Sequence, residues 1–314
     1  LSSIFPGTWF GAEKIDIAGV SDLAKNTPEI IIWMAPVMFF FVLLEWFIAH
    51  RQHRHLYDKK ETIGSTLVGI GNVVIAASLK LIIFYLFVWI YNLVPWRIPF
   101  SWWTLLPCYI LWDFCSYWAH RISHQKRFFW ATHIVHHTGE NYNLTVSFRL
   151  SWIQHLKLIF FLPVSFLGFH PVILFIVNQI AVLFQFWVHT EYIRRMPAII
   201  EYLFATPSNH RVHHGSQEKY IDKNYGATFI IWDRMFNTFQ PEEEQVIYGI
   251  THPLERKSDP FYLNFHELKD IVYDVRTAKT WKMKMFFLFG APRAVSDFKK
   301  SHQRKPEVLQ PQEA

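Results

Sequence analysis

Charge and cysteine are scarce in this sequence. Charged residues fill 18% of its 314 positions, against roughly 25% in an ordinary soluble domain. Cysteine occurs only as Cys108 and Cys115. Seven residues apart on a helix is about 10 Å of rise, too far for a disulfide, so both are expected to be packing residues. No cleavable signal is expected either. Residues 1–29 lack a basic stretch followed by an apolar run and a small-residue cleavage site, so the first apolar block is expected to stay in the protein. There is no GxGxxG or other nucleotide signature, no HExxH and no CxxCH. These absences argue against a built-in nucleotide cofactor, a metallopeptidase-type zinc site and covalent haem. The formal charge of +6 comes with no nucleic-acid-binding motif; basic loops beside anionic lipid headgroups account for it.

What is abundant is apolar. Hydrophobic residues make up 51% of the chain, with thirty Phe and fourteen Trp, and they come in blocks. Residues 30–49 read IIIWMAPVMFFFVLLEWFIA, about one bilayer thickness as a helix. Residues 67–94 and 102–119 are similar, and 156–188 form a longer stretch broken at Gly168-Phe169-His170-Pro171. That stretch is expected to be a hairpin of two short helices, since Pro171 disfavours helix in the residue before it. The predicted fold is all-α: a membrane helical bundle of about four to five spans, one a broken hairpin, with a cytosolic helical cap. Residues 1–29 are expected outside the cytosol, 30–298 as one membrane-embedded domain, and 299–314 as a disordered tail. The orientation rests on Arg51, Arg54, Lys59 and Lys60 after the first block, which belong on the cytosolic side. Segments 120–155 and 189–314 then also face the cytosol. Within the latter, 196–204 and 283–290 are apolar patches too short to span, expected as interfacial helices.

Most of the unusual histidines fall in those two segments. His120 and His124 form an HxxxH pair at the end of the third block. His133-Ile-Val-His136-His137 and His210-Arg-Val-His213-His214 are two HxxHH triplets, and His189 stands where the hairpin returns. On a helix, residues three and four apart share a face. An HxxxH pair thus aims two imidazoles at one point. An HxxHH triplet aims its first and third rings together and displaces the middle one toward a second point. Eight such rings exceed what one ion uses, four for zinc or six for octahedral iron, so two metal ions are expected. Imidazole suits Fe, Zn, Cu and Ni alike, and the residues alone do not choose among them. An all-nitrogen dinuclear site beside lipid fits oxygen activation better than hydrolysis. Haem held by two histidines would need pairs on facing spans, away from the helix ends. His50, His53 and His55 are expected to face headgroups, and His155, His170, His252, His266 and His302 lack a partner motif.

The order HxxxH, HxxHH, HxxHH with apolar blocks between resembles the fatty acid hydroxylase and sterol desaturase superfamily. The strings DFCSYWAHRISH, FFWATHIVHHTGENYNLT, FWVHTEYI, TPSNHRVHHGSQEKYIDKNYGATFIIWDRMFNTF and VIYGITHP are similar to its alkylglycerol monooxygenase branch, over about residues 30–270. The resemblance implies a diiron enzyme that uses oxygen on C–H bonds of membrane lipids, with an external electron donor, in that branch a tetrahydropterin. It implies that His120, His124, His133, His136, His137, His189, His210, His213 and His214 are metal ligands, with iron native and zinc able to replace it. It places the segments 140–143 (ENYN) and 222–225 (DKNY), with Glu140, Asn143, Asp222 and Asn224 foremost, beside the ligands or the substrate. The branch usually has a further histidine where this chain has Asn209, and the animal enzymes carry further hydrophobic C-terminal sequence. The shorter chain implies a bacterial relative in the inner membrane; a eukaryotic one would sit in the endoplasmic reticulum. A sterol, carotenoid or fatty acyl desaturase or hydroxylase uses the same ligand set. A membrane metal-binding or transport protein would need a polar path across the bilayer, and only Lys80 and Asp113 stand well inside the apolar blocks, besides Glu45 near an end.

Overall fold

The computed structural model describes residues 11–251 and 253–303, and their regular elements are all helices. Residues 1–10, His252 and the tail beyond Gln303 lie outside the described residues. Two helices are long and apolar enough to cross a membrane. The first, α1 (Ile30–Arg51), follows a short helical segment that ends at Asn26, after a break at residues 27–29. It exposes Trp33, Phe39, Phe40 and Phe47, as a lipid-facing surface does. The second, α2 (Lys59–Leu93), has 35 residues, about 52 Å of helix against about 30 Å of hydrocarbon. Its excess length carries Asp58, Glu61, Gly64 and Ser65 out to the cap. There Asp58 accepts from the backbone N–H of Glu61, capping the helix. Gly64 is required because a Cβ would sit 2.2 Å from the Lys257 carbonyl oxygen.

Helix α3 (Trp102–Gln125) is capped by Ser101 and contains Pro107. It packs against α4 (Pro171–Trp187), which starts with Pro171 at its first turn and His170 accepting from the backbone N–H of Val172. Phe87, Cys108, Trp112, Ile173, Leu174 and Val177 interlock where α2, α3 and α4 meet, and Phe84 stacks on Phe175 with centroids 3.9 Å apart. In an apolar surround this contact is held by close packing more than by release of water.

The break in the long apolar stretch falls where expected. Gly168 takes φ +86°, and a Cβ there would lie 2.4 Å from the Trp96 carbonyl oxygen. The arm before it differs from the expected helix. It is a 3-10 segment (Gln154–Phe160) followed by a short helix (Leu162–Phe166). Apolar composition alone cannot tell such a tight, irregular arm from a span. The apolar patches at 196–204 and 283–290 hold short helices, Ala198–Leu203 and Trp281–Phe289. The chain's last described helix runs from Pro292 to Gln303, so the first five residues of the expected disordered tail are helical.

Glu45, Lys80 and Asp113, the charged residues inside the three long apolar blocks, each have a partner. Lys80 pairs with Glu29. Glu45 accepts from Tyr57 Oη at 2.5 Å, from the backbone N–H of Leu144 at 2.8 Å and from the Thr190 hydroxyl. Asp113 accepts from the backbone N–H groups of Thr228 and Phe229 at 2.8 and 3.1 Å and from Trp232 Nε1 at 2.9 Å. Glu45 and Asp113 therefore tie α1 and α3 to the loops that carry the histidines.

Candidate metal centre

The end of α3, the short helix Ile134–His137, the turn after α4 and α5 (Pro207–His213) converge beneath the apolar helices. Thr206 caps α5, accepting from the Asn209 N–H, and Pro207 fits its first turn. These elements bring together all nine histidines singled out in the sequence. His120, His124, His133, His137 and His213 form one group; His136, His189, His210 and His214 form another. In each triplet the first and third rings share a group and the middle ring joins the other, the alternation that i, i+3 and i+4 spacing dictates.

The nitrogens converge as ligands do. In the five-histidine group, His120 Nε2 lies 2.8 Å from His133 Nε2, and His137 Nε2 lies 3.2 Å from both His133 Nε2 and His213 Nε2. In the other, His189 Nε2 is 3.0 Å from His210 Nε2 and 3.2 Å from His136 Nε2, and His214 Nε2 is 3.1 Å from His136 Nε2. Two nitrogens bound about 2.1 Å from one ion at a right angle stand about 3.0 Å apart. Ring–ring hydrogen bonds would need a donor for each pair, and the donors point elsewhere. His120 Nδ1 donates to the Tyr225 carbonyl at 2.8 Å, His213 Nδ1 to Lys223 at 3.0 Å and His189 Nδ1 to Gln185 at 2.6 Å. A proton held on Nδ1 leaves a bare lone pair on Nε2, the arrangement that presents imidazole to a metal.

Burial reinforces this. It drives His133, His136, His137, His210, His213 and His214 well below the ordinary imidazole value, with neighbouring positive groups adding to the effect. His189 is lowered to about 4 by burial. Neutral rings clustered around two points, with no acidic group among them, fit two cations of the imidazole-preferring kind.

The four polar residues expected near the ligands have distinct places. Asp222 and Asn224 adopt φ +60° and +55°, the left-handed region that Asn and Asp enter more readily than most residues. This double reversal presents the Lys223 and Tyr225 carbonyls to His213 and His120. Asn224 locks it, donating through Nδ2 to the Asn209 and Gln240 carbonyls and accepting from the Gln240 N–H at 2.8 Å. The Asp222 carboxylate is 3.6 Å from His124 Nδ1. Asn143 accepts from the Thr145 N–H and donates to the Leu56 carbonyl, so it shapes its loop. Glu140 pairs with Lys257 at 2.7 Å. Asn209 turns away from the histidines, its Nδ2 donating to the Glu201 and Phe204 carbonyls.

Tyr142 and Tyr225, within the segments expected near the ligands, complete the surround together with Arg211 and Tyr248, which the sequence did not single out. The Tyr142 ring lies 5.2 Å from that of His214 and 5.7 Å from that of His189, and Tyr248 stacks on it at 4.7 Å. Buried Arg211, between His210 and His213, holds Glu242 by two bonds of 2.7 Å and donates to the Thr190 carbonyl at 3.0 Å. Tyr225 approaches His124 at 5.3 Å between rings, with its hydroxyl buried and unpartnered among the described residues.

Known proteins are similar to this chain over the stretch that carries the site. Residues 105–238, which contain all nine histidines, match the fatty acid hydroxylase family model. An alkylglycerol monooxygenase of Xenopus tropicalis is 44% identical over 213 residues, covering 66% of this chain and 46% of the relative. The Homo sapiens alkylglycerol monooxygenase is 34% identical over 262 residues, covering 79% and 56%. The ornithine lipid hydroxylase OlsE of Rhizobium tropici is 26% identical over 150 residues, covering 44% and 43%. The chain thus spans about half the length of these relatives. No solved structure matches. Taken with the two histidine groups, these similarities place residues 105–238 in the fatty acid hydroxylase family and make the chain similar to the alkylglycerol monooxygenases.

Proposed function

We propose that this protein is a membrane-bound diiron monooxygenase that hydroxylates a lipid alkyl chain next to its polar headgroup, with an alkylglycerol ether lipid as substrate. The observation that carries this reading is the five-plus-four division of nine neutral histidines at the ends of apolar helices. Iron held there would supply oxygen activation; zinc fits the same nitrogens and can replace it. His120, His124, His133, His137 and His213 hold one ion and His136, His189, His210 and His214 the other. The Tyr225, Lys223 and Gln185 carbonyls keep the rings oriented, and burial keeps them unprotonated. Hydroxylation of the carbon beside an ether oxygen gives a hemiacetal, which separates into an aldehyde and a glycerol derivative.

Regiochemistry follows from depth. The histidines sit where α3 and the segment after α4 leave the apolar zone, at the level of headgroups rather than chain ends. A lipid entering sideways between α3 and the broken hairpin presents its headgroup-proximal carbons first. The electron donor is external, a tetrahydropterin by the branch resemblance. The likeness to an ornithine lipid hydroxylase supports a second reading, hydroxylation of an acyl chain on another polar lipid. A metal-transport role is disfavoured, since Glu45, Lys80 and Asp113 are all engaged in structural contacts.

For topology we propose four to five spans, the N-terminal side outside and the histidine cap in the cytosol. Cysteines placed at Lys25 and Ser301 test it with a membrane-impermeant thiol reagent on intact cells; labelling at Ser301 alone would reverse the orientation. Function is tested by lipid profiling of cells with and without the protein. Ether lipids should fall and aldehydes rise; unchanged ether and acyl lipids would refute both readings.

A further inference from the structure

A cavity of about 750 Å³ opens on the cap, within the range of small-molecule sites. Its wall is built by the segments that leave the metal centre. Tyr142 follows the second histidine motif, Glu191 lies two residues after His189, and Ser216 two after His214. Arg54, from the loop after α1, and Tyr248 close it. The cavity is where the aqueous surface comes within one aromatic ring of the four-histidine group: Tyr142 touches His214 and His189 on one side and stacks on Tyr248, 9° from parallel, on the other.

Its charges are available. Glu191 accepts from the Tyr248 hydroxyl and makes no ion pair among the described residues. The Arg54 guanidinium lies over the Tyr192 ring, 4.9 Å from its centroid, with no carboxylate partner among the described residues. By contrast, Glu140 is matched by Lys257 and Glu242 by Arg211. A carboxylate, a guanidinium and an aromatic face disfavour an alkyl tail and suit a flat polar ligand with N–H donors on one edge and a carbonyl on another.

This inference rests on the monooxygenase reading, in which R–H + O2 + DH2 gives R–OH + H2O + D. The donor DH2 gives up two electrons and two protons, one oxygen atom enters the C–H bond and the other leaves as water. We propose that the cavity is the docking site of that donor: a planar, nitrogen-rich heterocyclic reductant that packs on Tyr248, is held at its N–H edge by Glu191 and faces Arg54 with its carbonyl. The Tyr248–Tyr142 stack then spans the gap between donor and centre.

The test uses the full, iron-loaded protein in lipid nanodiscs with a reduced pterin as probe. Glu191→Gln and Tyr248→Leu should raise the KM for pterin at least tenfold while the KM for the lipid and the iron content hold. Arg54→Lys should do less than Arg54→Ala. Glu243→Gln, on the same cap but outside the cavity, should change nothing. Binding is read independently by quenching of an oxidised pterin's fluorescence, which the same two variants should weaken. Unchanged pterin KM and quenching in both variants, or equal losses for lipid and pterin, would overturn the assignment. If the wild type bound pterin through Glu191 yet oxidised no lipid, the functional reading would fail and the cavity assignment would stand.

Discussion

His136 and His137 are neighbours in the chain, yet they serve different histidine groups. His136 Nε2 lies 3.1 Å from His214 Nε2, whereas His137 Nε2 lies 3.2 Å from His213 Nε2. One turn of helix therefore feeds both points, and the two rings stand 5.5 Å apart, nearly perpendicular.

That division predicts unequal effects of ligand loss. His136→Ala or His210→Ala cuts the four-histidine group to three, and elemental analysis should find close to one ion per chain. His137→Ala leaves four histidines in the other group, and most of the metal should stay. Equal loss from all three variants would contradict the division.

The turn behind the rings gives a second prediction. Asn224→Ala removes the side chain that locks a left-handed backbone and loosens the carbonyls that orient His213 and His120. Metal affinity should fall about ten- to hundredfold, as when outer partners of ligands are lost. Asn209→His, by contrast, should add no metal and no ligand, because that side chain faces the Glu201 and Phe204 carbonyls. Competition with a chelator measures both.

Asp113 predicts a stability effect away from the histidines. Asp113→Ala strands three donors, two of them backbone. The expected cost is more than about 3 kcal/mol, given roughly 1–3 kcal/mol for each donor left unsatisfied. Asp113→Asn keeps an acceptor oxygen and should cost less. Thermal unfolding in detergent compares them, and equal melting temperatures would refute the tether.

The lowered histidines set a pH dependence for the metal-free protein. His189 titrates at about 4 in the folded chain against an ordinary 6.5. Between those values the unfolded chain holds the proton and the folded chain does not, so stability falls as pH drops from 6.5 toward 4. The other buried rings act in the same direction. Melting temperature of the metal-free protein should decline steadily across that window, and a flat profile would contradict the burial.

The histidine centre was legible in the sequence because its geometry is local. Spacings of three and four fix which rings converge even in the single turn Ile134–His137, and they also assign the middle rings to the second group. Asp222 and Asn224 stood out only through family likeness, since nothing in their spacing announces a left-handed turn. Tyr142 and Tyr248 meet across a large separation in the chain, and such stacking leaves no periodic trace. The 156–188 stretch misled in its first arm for the opposite reason. Its composition is mostly apolar, while its backbone, with Pro163 and Gly168, forms 3-10 and short helical turns.

The central claim, oxygen insertion next to a lipid headgroup at the histidine centre, is tested most directly by mass spectrometry of products formed under 18O2. Iron-loaded protein in nanodiscs should place one labelled atom on the headgroup-proximal carbon of an ether lipid, recovered in the aldehyde before exchange. His136→Ala and His213→Ala should form none while remaining folded. Label near the methyl end of the chain, or full labelling by the His136→Ala variant, would contradict the account.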